Sequence, residues 1–264
     1  MQTSDENGIS NLRENTPEED IFAEDDYEAI NSAYFDDIFK ARSWAALPAG
    51  WHNPYCEAAS LFEPVTPDEY SLQHYTLDEG YALEEPKGAI LEFLGAWEGR
   101  GVDYNELTLC PSVSTANLSV LSALKIEGIE SIIFETPMYF GTRQQAELLG
   151  LKIIRIPCFR DNRFDNSVAT FHRAILEQHR CALWLTQPRF GIGTNQSIDF
   201  VCELARLLGP QNVLVIDEAA EQKFPSTLSG LGPMECTVIR TRGLLKGIGL
   251  NGLRTAFLPS STTS

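Results

Sequence analysis

From Leu107 onward the sequence alternates short, apolar, β-prone runs with segments of helical periodicity, and this alternation narrows the fold further than any other property of the chain. The strand candidates are 107–110, 131–135, 152–156, 181–186, 213–216 and 236–240; helices are expected over 115–126, 140–149, 167–179 and 197–208. Strands separated by helices predict an α/β fold, a mostly parallel sheet with helices on both faces. In such sheets ligands bind beyond the carboxyl ends of the strands, so the residues that end each strand are the ones to read.

Pro111-Ser-Val-Ser-Thr-Ala-Asn117 follows the first strand and opens a helix, whose free N–H groups and dipole favour a phosphate; Ser114 and Thr115 add hydroxyl donors. The plainer account of that turn is a helix N-cap. Thr136-Pro-Met-Tyr139 follows the second strand and brings an aromatic ring that either stacks on a flat ligand or simply packs. Asp217 follows the run Val213-Leu-Val-Ile216, where a carboxylate is costly unless paired; a helix cap or a metal ligand is the alternative.

The stretch Arg240–Phe257 holds Lys246 among Gly247, Gly249 and Gly252, with Arg254 eight residues on. Glycines let the backbone approach a ligand closely, and the arginine fork suits a phosphate, although a solvated lysine in a surface loop has the same appearance. A lysine for an imine, an aspartate for a ring nitrogen, an aromatic for a ring face, and a helix start with an arginine for a phosphate together describe pyridoxal 5′-phosphate.

On these residues the sequence resembles the fold-type I pyridoxal-phosphate enzymes of the class I/II aminotransferase family, over roughly residues 47–258. The motifs are Tyr75 to Gly80, Ser114-Thr115-Ala116, Pro137-Met-Tyr139, Asp217-Glu-Ala219 and Lys246-x-x-Gly-x-x-Gly-Leu-Arg254, in the family's order. The resemblance implies an internal aldimine at Lys246, Asp217 on the pyridine nitrogen, Tyr139 on the ring, and Ser114, Thr115 and Arg254 on the phosphate. It also implies that Tyr75 reaches the phosphate of a neighbouring subunit in a homodimer. A strand after the Gly-Leu-Arg motif, Thr255–Leu258, brings the expected sheet to about seven strands.

Several positions depart from the family pattern. The element Asn-Pro-x-Asn-Pro-Thr-Gly reads Gln187-Pro-Arg-Phe-Gly-Ile-Gly193, so the asparagine that meets the cofactor's phenolic oxygen falls on Phe190. The tyrosine expected three residues after the aspartate is Ala220, and the serines before the lysine are Gly243 and Leu245. Gln187 and Arg189 are the candidate substitutes. The family's C-terminal small domain, with the arginine that grips the substrate carboxylate, is expected to be missing after Ser264, and turnover of free amino acids is expected to be slow without it.

Composition excludes other classes. The net charge is −17, but residues 1–40 hold twelve acidic side chains against Arg13 and Lys40, leaving about −7 for the rest. With no basic stripe, nucleic-acid binding is disfavoured. No apolar run reaches the ~20 residues that span a bilayer. Six scattered cysteines read as buried free thiols, consistent with the cytoplasm. The expected organisation is an acidic disordered arm over 1–30, a helical and loop segment over 31–100, including helices at 27–44 and 84–97, and the cofactor-binding α/β domain over 101–264. His172 and His179, seven residues apart on one expected helix, make a weak metal site without a third ligand.

The leading reading is an enzyme acting on an amino acid or oxo acid, with transamination the commonest case. A lyase, decarboxylase or racemase on the same scaffold, and a non-catalytic protein that kept the fold, stand as alternatives. A dinucleotide-binding fold is excluded because the first strand lacks a Gly-x-Gly-x-x-Gly turn.

Overall fold

The computed structural model describes residues 84–98, 103–158, 166–221, 228, 231, 234–243 and 256–261. The chain divides into two units, Met1–His52 and Asn53–Ser264, and every described residue belongs to the second. The expected acidic arm, the helix at 27–44, Tyr75, Lys246 and Arg254 lie outside the described residues.

The elements follow in the order α1 (Glu84–Glu98), β1 (Leu107–Cys110), α2 (Val113–Ile126), β2 (Ser131–Thr136), α3 (Phe140–Leu148), β3 (Lys152–Pro157), α4 (Val168–Leu176), β4 (Cys181–Thr186), α5 (Ile198–Leu208), β5 (Val213–Glu218), β6 (Thr237–Gly243) and β7 (Ala256–Ser261). One short 3-10 turn, Tyr104–Glu106, precedes β1. The seven strands form a single sheet in the order β1-β7-β6-β5-β4-β2-β3. Strands β2 to β6 pair in parallel, and β7 runs antiparallel between β6 and β1. This is the mostly parallel sheet that the alternation predicted.

The central strands read as unbroken apolar runs because both of their faces are covered. Cys181, Leu183 and Leu185 of β4, with Leu214 and Ile216 of β5, pack into a core with Phe171 and Ile175 of α4 and Val201, Leu204 and Leu208 of α5. The intervening Ala182, Trp184 and Val215 face the other way, onto Val120, Leu121 and Leu124 of α2 and Ala146 of α3. Strand alternation therefore divides the helices into two layers, α2 and α3 on one side and α4 and α5 on the other.

Serines start three of the helices. The side chains of Ser112, Ser167 and Ser197 accept from the backbone N–H of Thr115, Thr170 and Phe200, which satisfies one of the donors left over in each first turn. The last helix of this set stops at Gly209, whose φ of +62° disfavours any residue with a Cβ.

Several boundaries differ from the expectation. Helix α4 stops at Leu176 instead of 179, with the N–H of Gln178 turning back to the carbonyl of Ile175, so His179 is not on the helix with His172. No cluster of three metal-ligating side chains occurs among the described residues. Strands β5 and β6 run further than their apolar cores, to Glu218 and Gly243, with the buried carboxylate of Glu218 paired across the sheet to Arg240. Asp217 stands opposite Thr241 and Glu218 opposite Arg242. Of the cysteines, Cys110, Cys158, Cys181 and Cys236 are buried free thiols and Cys202 is a half-buried one, while Cys56 lies outside the described residues.

Candidate active site

Asp217 is the penultimate residue of β5, shares its face of the sheet with Val215, and is 3% exposed. That face carries α2, and the amide Nδ2 of Asn117 in α2 donates to Asp217 Oδ2 at 2.8 Å. The backbone N–H of Ala219 donates to Oδ1 at 2.9 Å. Asn117 Nδ2 also donates to Thr142 Oγ1 of α3 at 3.1 Å, so the carboxylate is tied to both helices of this layer. The carbonyl of Asp217 in turn accepts from the N–H of Gln187 beyond the end of β4, at 2.8 Å. A buried carboxylate is held here by donors, as its burial requires.

Glu218, the next residue, points to the opposite face and is fully buried. Arg240 of β6 meets it with two hydrogen bonds of 2.7 and 2.8 Å, and Arg242 Nη1 lies 3.9 Å from Oε2. The Asp-Glu pair is thus split by strand geometry into one carboxylate on each side of the sheet.

The N-terminus of α2 lies on the same face as Asp217. Ser112 caps it, with Ser112 Oγ 3.0 Å from Thr115 Oγ1, so the capping serine is not Ser114. Thr115 is exposed, and half-buried Ser114 uses its carbonyl to accept from Gln145 Nε2 at 3.1 Å. Gly243, at the end of β6, comes against this first turn, where an added Cβ would stand 3.1 Å from Val113 Cγ2. A valine methyl thus packs against Gly243, a position where the family resemblance leads a serine to be expected.

Tyr139 precedes α3 as its N-cap residue without a side-chain cap, half-buried. Its ring edge lies over Gly141, where a Cβ would stand 2.8 Å from Tyr139 Cε1. Phe140 packs beside the ring at 4.9 Å, and Phe190 meets it edge-on with centroids 6.0 Å apart. Phe190 therefore contributes an aromatic edge at the position where a hydrogen-bond donor was expected.

Neither candidate substitute is available for that role. Gln187 is fully buried and closes the loop after β4, its Nε2 donating to the carbonyl of Gln196 and its Oε1 accepting from the N–H of Gln196. Arg189 donates from Nε and Nη2 to Glu135 at 3.0 and 2.7 Å, and from Nη2 to Cys158 Sγ at 2.6 Å. Glu135, Arg189, Asn166 and Gln196 line a cavity of about 280 Å³, in which the guanidinium is already committed to the carboxylate.

Asn117, Thr142 and Thr241 were not singled out from the sequence. The signal for Asn117 was a polar residue on the stripe of α2 that otherwise holds Ala116, Val120, Leu121 and Leu124, all buried. Two polar atoms around Asp217 are buried without a hydrogen-bond partner, Asn117 Oδ1 and Thr241 Oγ1, the latter on the residue in register with Asp217. Orphaned polar atoms beside a held carboxylate fit a site that seats a further polar group.

The fold is shared with solved structures. An aromatic aminotransferase from Pyrococcus horikoshii superposes with a TM-score of 0.57 at 21% identity, covering 66% of this chain and 48% of that one. The aspartate aminotransferase from Rhizobium meliloti gives 0.64 at 15% identity, covering 88% and 59%. A PLP-bound C-S lyase from Staphylococcus hominis gives 0.56 at 10% identity, covering 65% and 46%. The chain spans about half the length of these structures. A comparison with curated proteins gives no match. Residues 79–263 match the family model for aminotransferase class I and II, and with more than half of its length inside that match the chain belongs to this family.

Proposed function

We propose that this chain is the cofactor-binding part of a pyridoxal-phosphate enzyme acting on an amino acid or its oxo acid, with transamination as the reaction. The observation that carries this reading is Asp217, a buried carboxylate at the end of β5 whose two oxygens accept hydrogen bonds from Ala219 and Asn117. Bound there, the cofactor supplies a cationic pyridine ring that takes up the electron pair released when a bond to the substrate α-carbon breaks. Asp217 holds the proton of the ring nitrogen in place, Tyr139 lies on the ring face, and the first turn of α2 at Ser114 and Thr115 meets the phosphate.

Lys246 would hold the cofactor's aldehyde through its amine and, once the substrate's own amine has displaced it, would be free to move the α-proton, and Arg254 would complete the phosphate contacts. In sequence, Lys246 is three residues beyond Gly243, where an added Cβ would meet Val113 in the first turn of α2. A homodimer in which Tyr75 contributes to the partner's phosphate site, and a cytoplasmic enzyme of amino-acid metabolism, belong to the same proposal. No helix among the described residues is long and apolar enough to cross a membrane.

The test follows exchange of the substrate α-hydrogen with deuterium by NMR, with a panel of L-amino acids and added pyridoxal 5′-phosphate. Exchange in the wild type and a loss of at least about a hundredfold in Asp217→Ala are expected, since the lost contact strengthens as charge develops. Exchange that is absent from the wild type, with no visible absorption band on adding the cofactor, would favour the non-catalytic alternative.

A further inference from the structure

We infer that Asn117 is a positioning residue for Asp217: it orients the carboxylate toward the cofactor ring nitrogen and acts on the cofactor only through it. This rests on the cofactor-binding reading above. Asn117 is 1% exposed and lies on the apolar stripe of α2, where packing alone gives no reason for an amide. Its amino group has two hydrogens, and both are used, one on Asp217 Oδ2 at 2.8 Å and one on Thr142 Oγ1 at 3.1 Å. The remaining atom, Oδ1, is buried without a partner.

The orientation of the amide is not interchangeable. Reversing it would set Oδ1 against a carboxylate oxygen at 2.8 Å, two acceptors face to face, so the aspartate fixes which way the asparagine points. Thr142, 2% exposed in α3, fixes the same nitrogen from the other side. Asp217 is therefore restrained from its own strand, from the turn at Ala219 and from α2, and loss of the α2 contact removes the restraint on Oδ2 that comes from that helix. A leucine at 117 would satisfy the helix stripe as well as its neighbours do, and it would leave Asp217 without this donor.

The experiment measures dissociation constants by equilibrium dialysis for pyridoxal 5′-phosphate and for its 1-deaza analogue, in which a C–H replaces the ring nitrogen. Asn117→Leu is expected to weaken pyridoxal 5′-phosphate about tenfold, the loss of one hydrogen bond to a charged group, and to leave the analogue within about twofold. In an Asp217→Ala background the same change is expected to have no effect on either ligand. Asn117→Ala, which removes the donor without adding bulk or a second buried charge, is expected to show the same selectivity. Equal weakening of both ligands would mean a purely structural residue, and unchanged binding of both would mean no role; either overturns the inference. A wild-type chain that binds neither ligand would instead remove the cofactor-binding reading, and this inference with it.

Discussion

Arg240 donates two hydrogen bonds to Glu218, of 2.7 and 2.8 Å, on the sheet face opposite that of Asp217. Adjacent acids at the end of β5 therefore have separate tasks. Glu218 is a fully buried half of an ion pair, and its removal would take both of these hydrogen bonds from a guanidinium that is 6% exposed. Glu218→Ala is expected to lower the unfolding free energy by about 3–5 kcal/mol, measured by urea denaturation. Asp217→Ala, which strands only donors, is expected to lower it by about 1–3 kcal/mol. Similar small losses for both would show that the Arg240 pair contributes little.

Gly141 lies under the ring of Tyr139, and a Cβ there would come within 2.8 Å of its Cε1. Gly141→Ala must displace the ring. The expected outcome is a stability loss of about 1–3 kcal/mol, as in other overpacked sites, together with weaker binding of pyridoxal 5′-phosphate. Dialysis on the folded variant checks it, and unchanged cofactor affinity would remove Tyr139 from the ring face.

Much of this arrangement was legible beforehand. The strands were found because both faces of the sheet are buried, which turns β2, β4 and β5 into continuous apolar runs. Asp217 was found because it breaks such a run. The ends of β5 and β6 were misjudged because an ion pair between Glu218 and Arg240, distant in sequence, makes charged residues acceptable inside a sheet. Asn117 went unread for a related reason: its partners, Thr142 and Asp217, lie 25 and 100 residues away. Arg189 reads in the sequence as a candidate substitute for the missing cofactor contacts, whereas in the fold its guanidinium is paired with Glu135, 54 residues earlier.

That pairing carries its own prediction. The Arg189 and Glu135 side chains are 8% and 9% exposed and 2.7 Å apart. Arg189→Met takes the counter-charge from a carboxylate that keeps the amides of Asn166 and Gln196, and is expected to cost about 3 kcal/mol, whereas the double variant Glu135→Met/Arg189→Met is expected to recover part of it. If Arg189 instead grips a substrate carboxylate, the single change would reduce substrate binding with little loss of stability.

Burial pushes the thiols of Cys181 and Cys236 up to about 11; at Cys236 backbone hydrogen bonds act in the opposite direction and are outweighed. The folded chain thus holds these thiols protonated at a pH where the unfolded chain, with an ordinary value of 9.0, ionises them. Their contribution to stability is present below about pH 9 and is lost as the pH rises to about 11. A Cys181→Ala/Cys236→Ala variant is expected to show a shallower fall in melting temperature over that window. A parallel fall in both proteins would place the cause elsewhere.

The central claim, that Lys246 and Asp217 serve one cofactor, is tested most directly by borohydride reduction of the protein incubated with pyridoxal 5′-phosphate, followed by peptide mass mapping. The account predicts a single pyridoxyl group, on Lys246. A label on another lysine, or none, would contradict it.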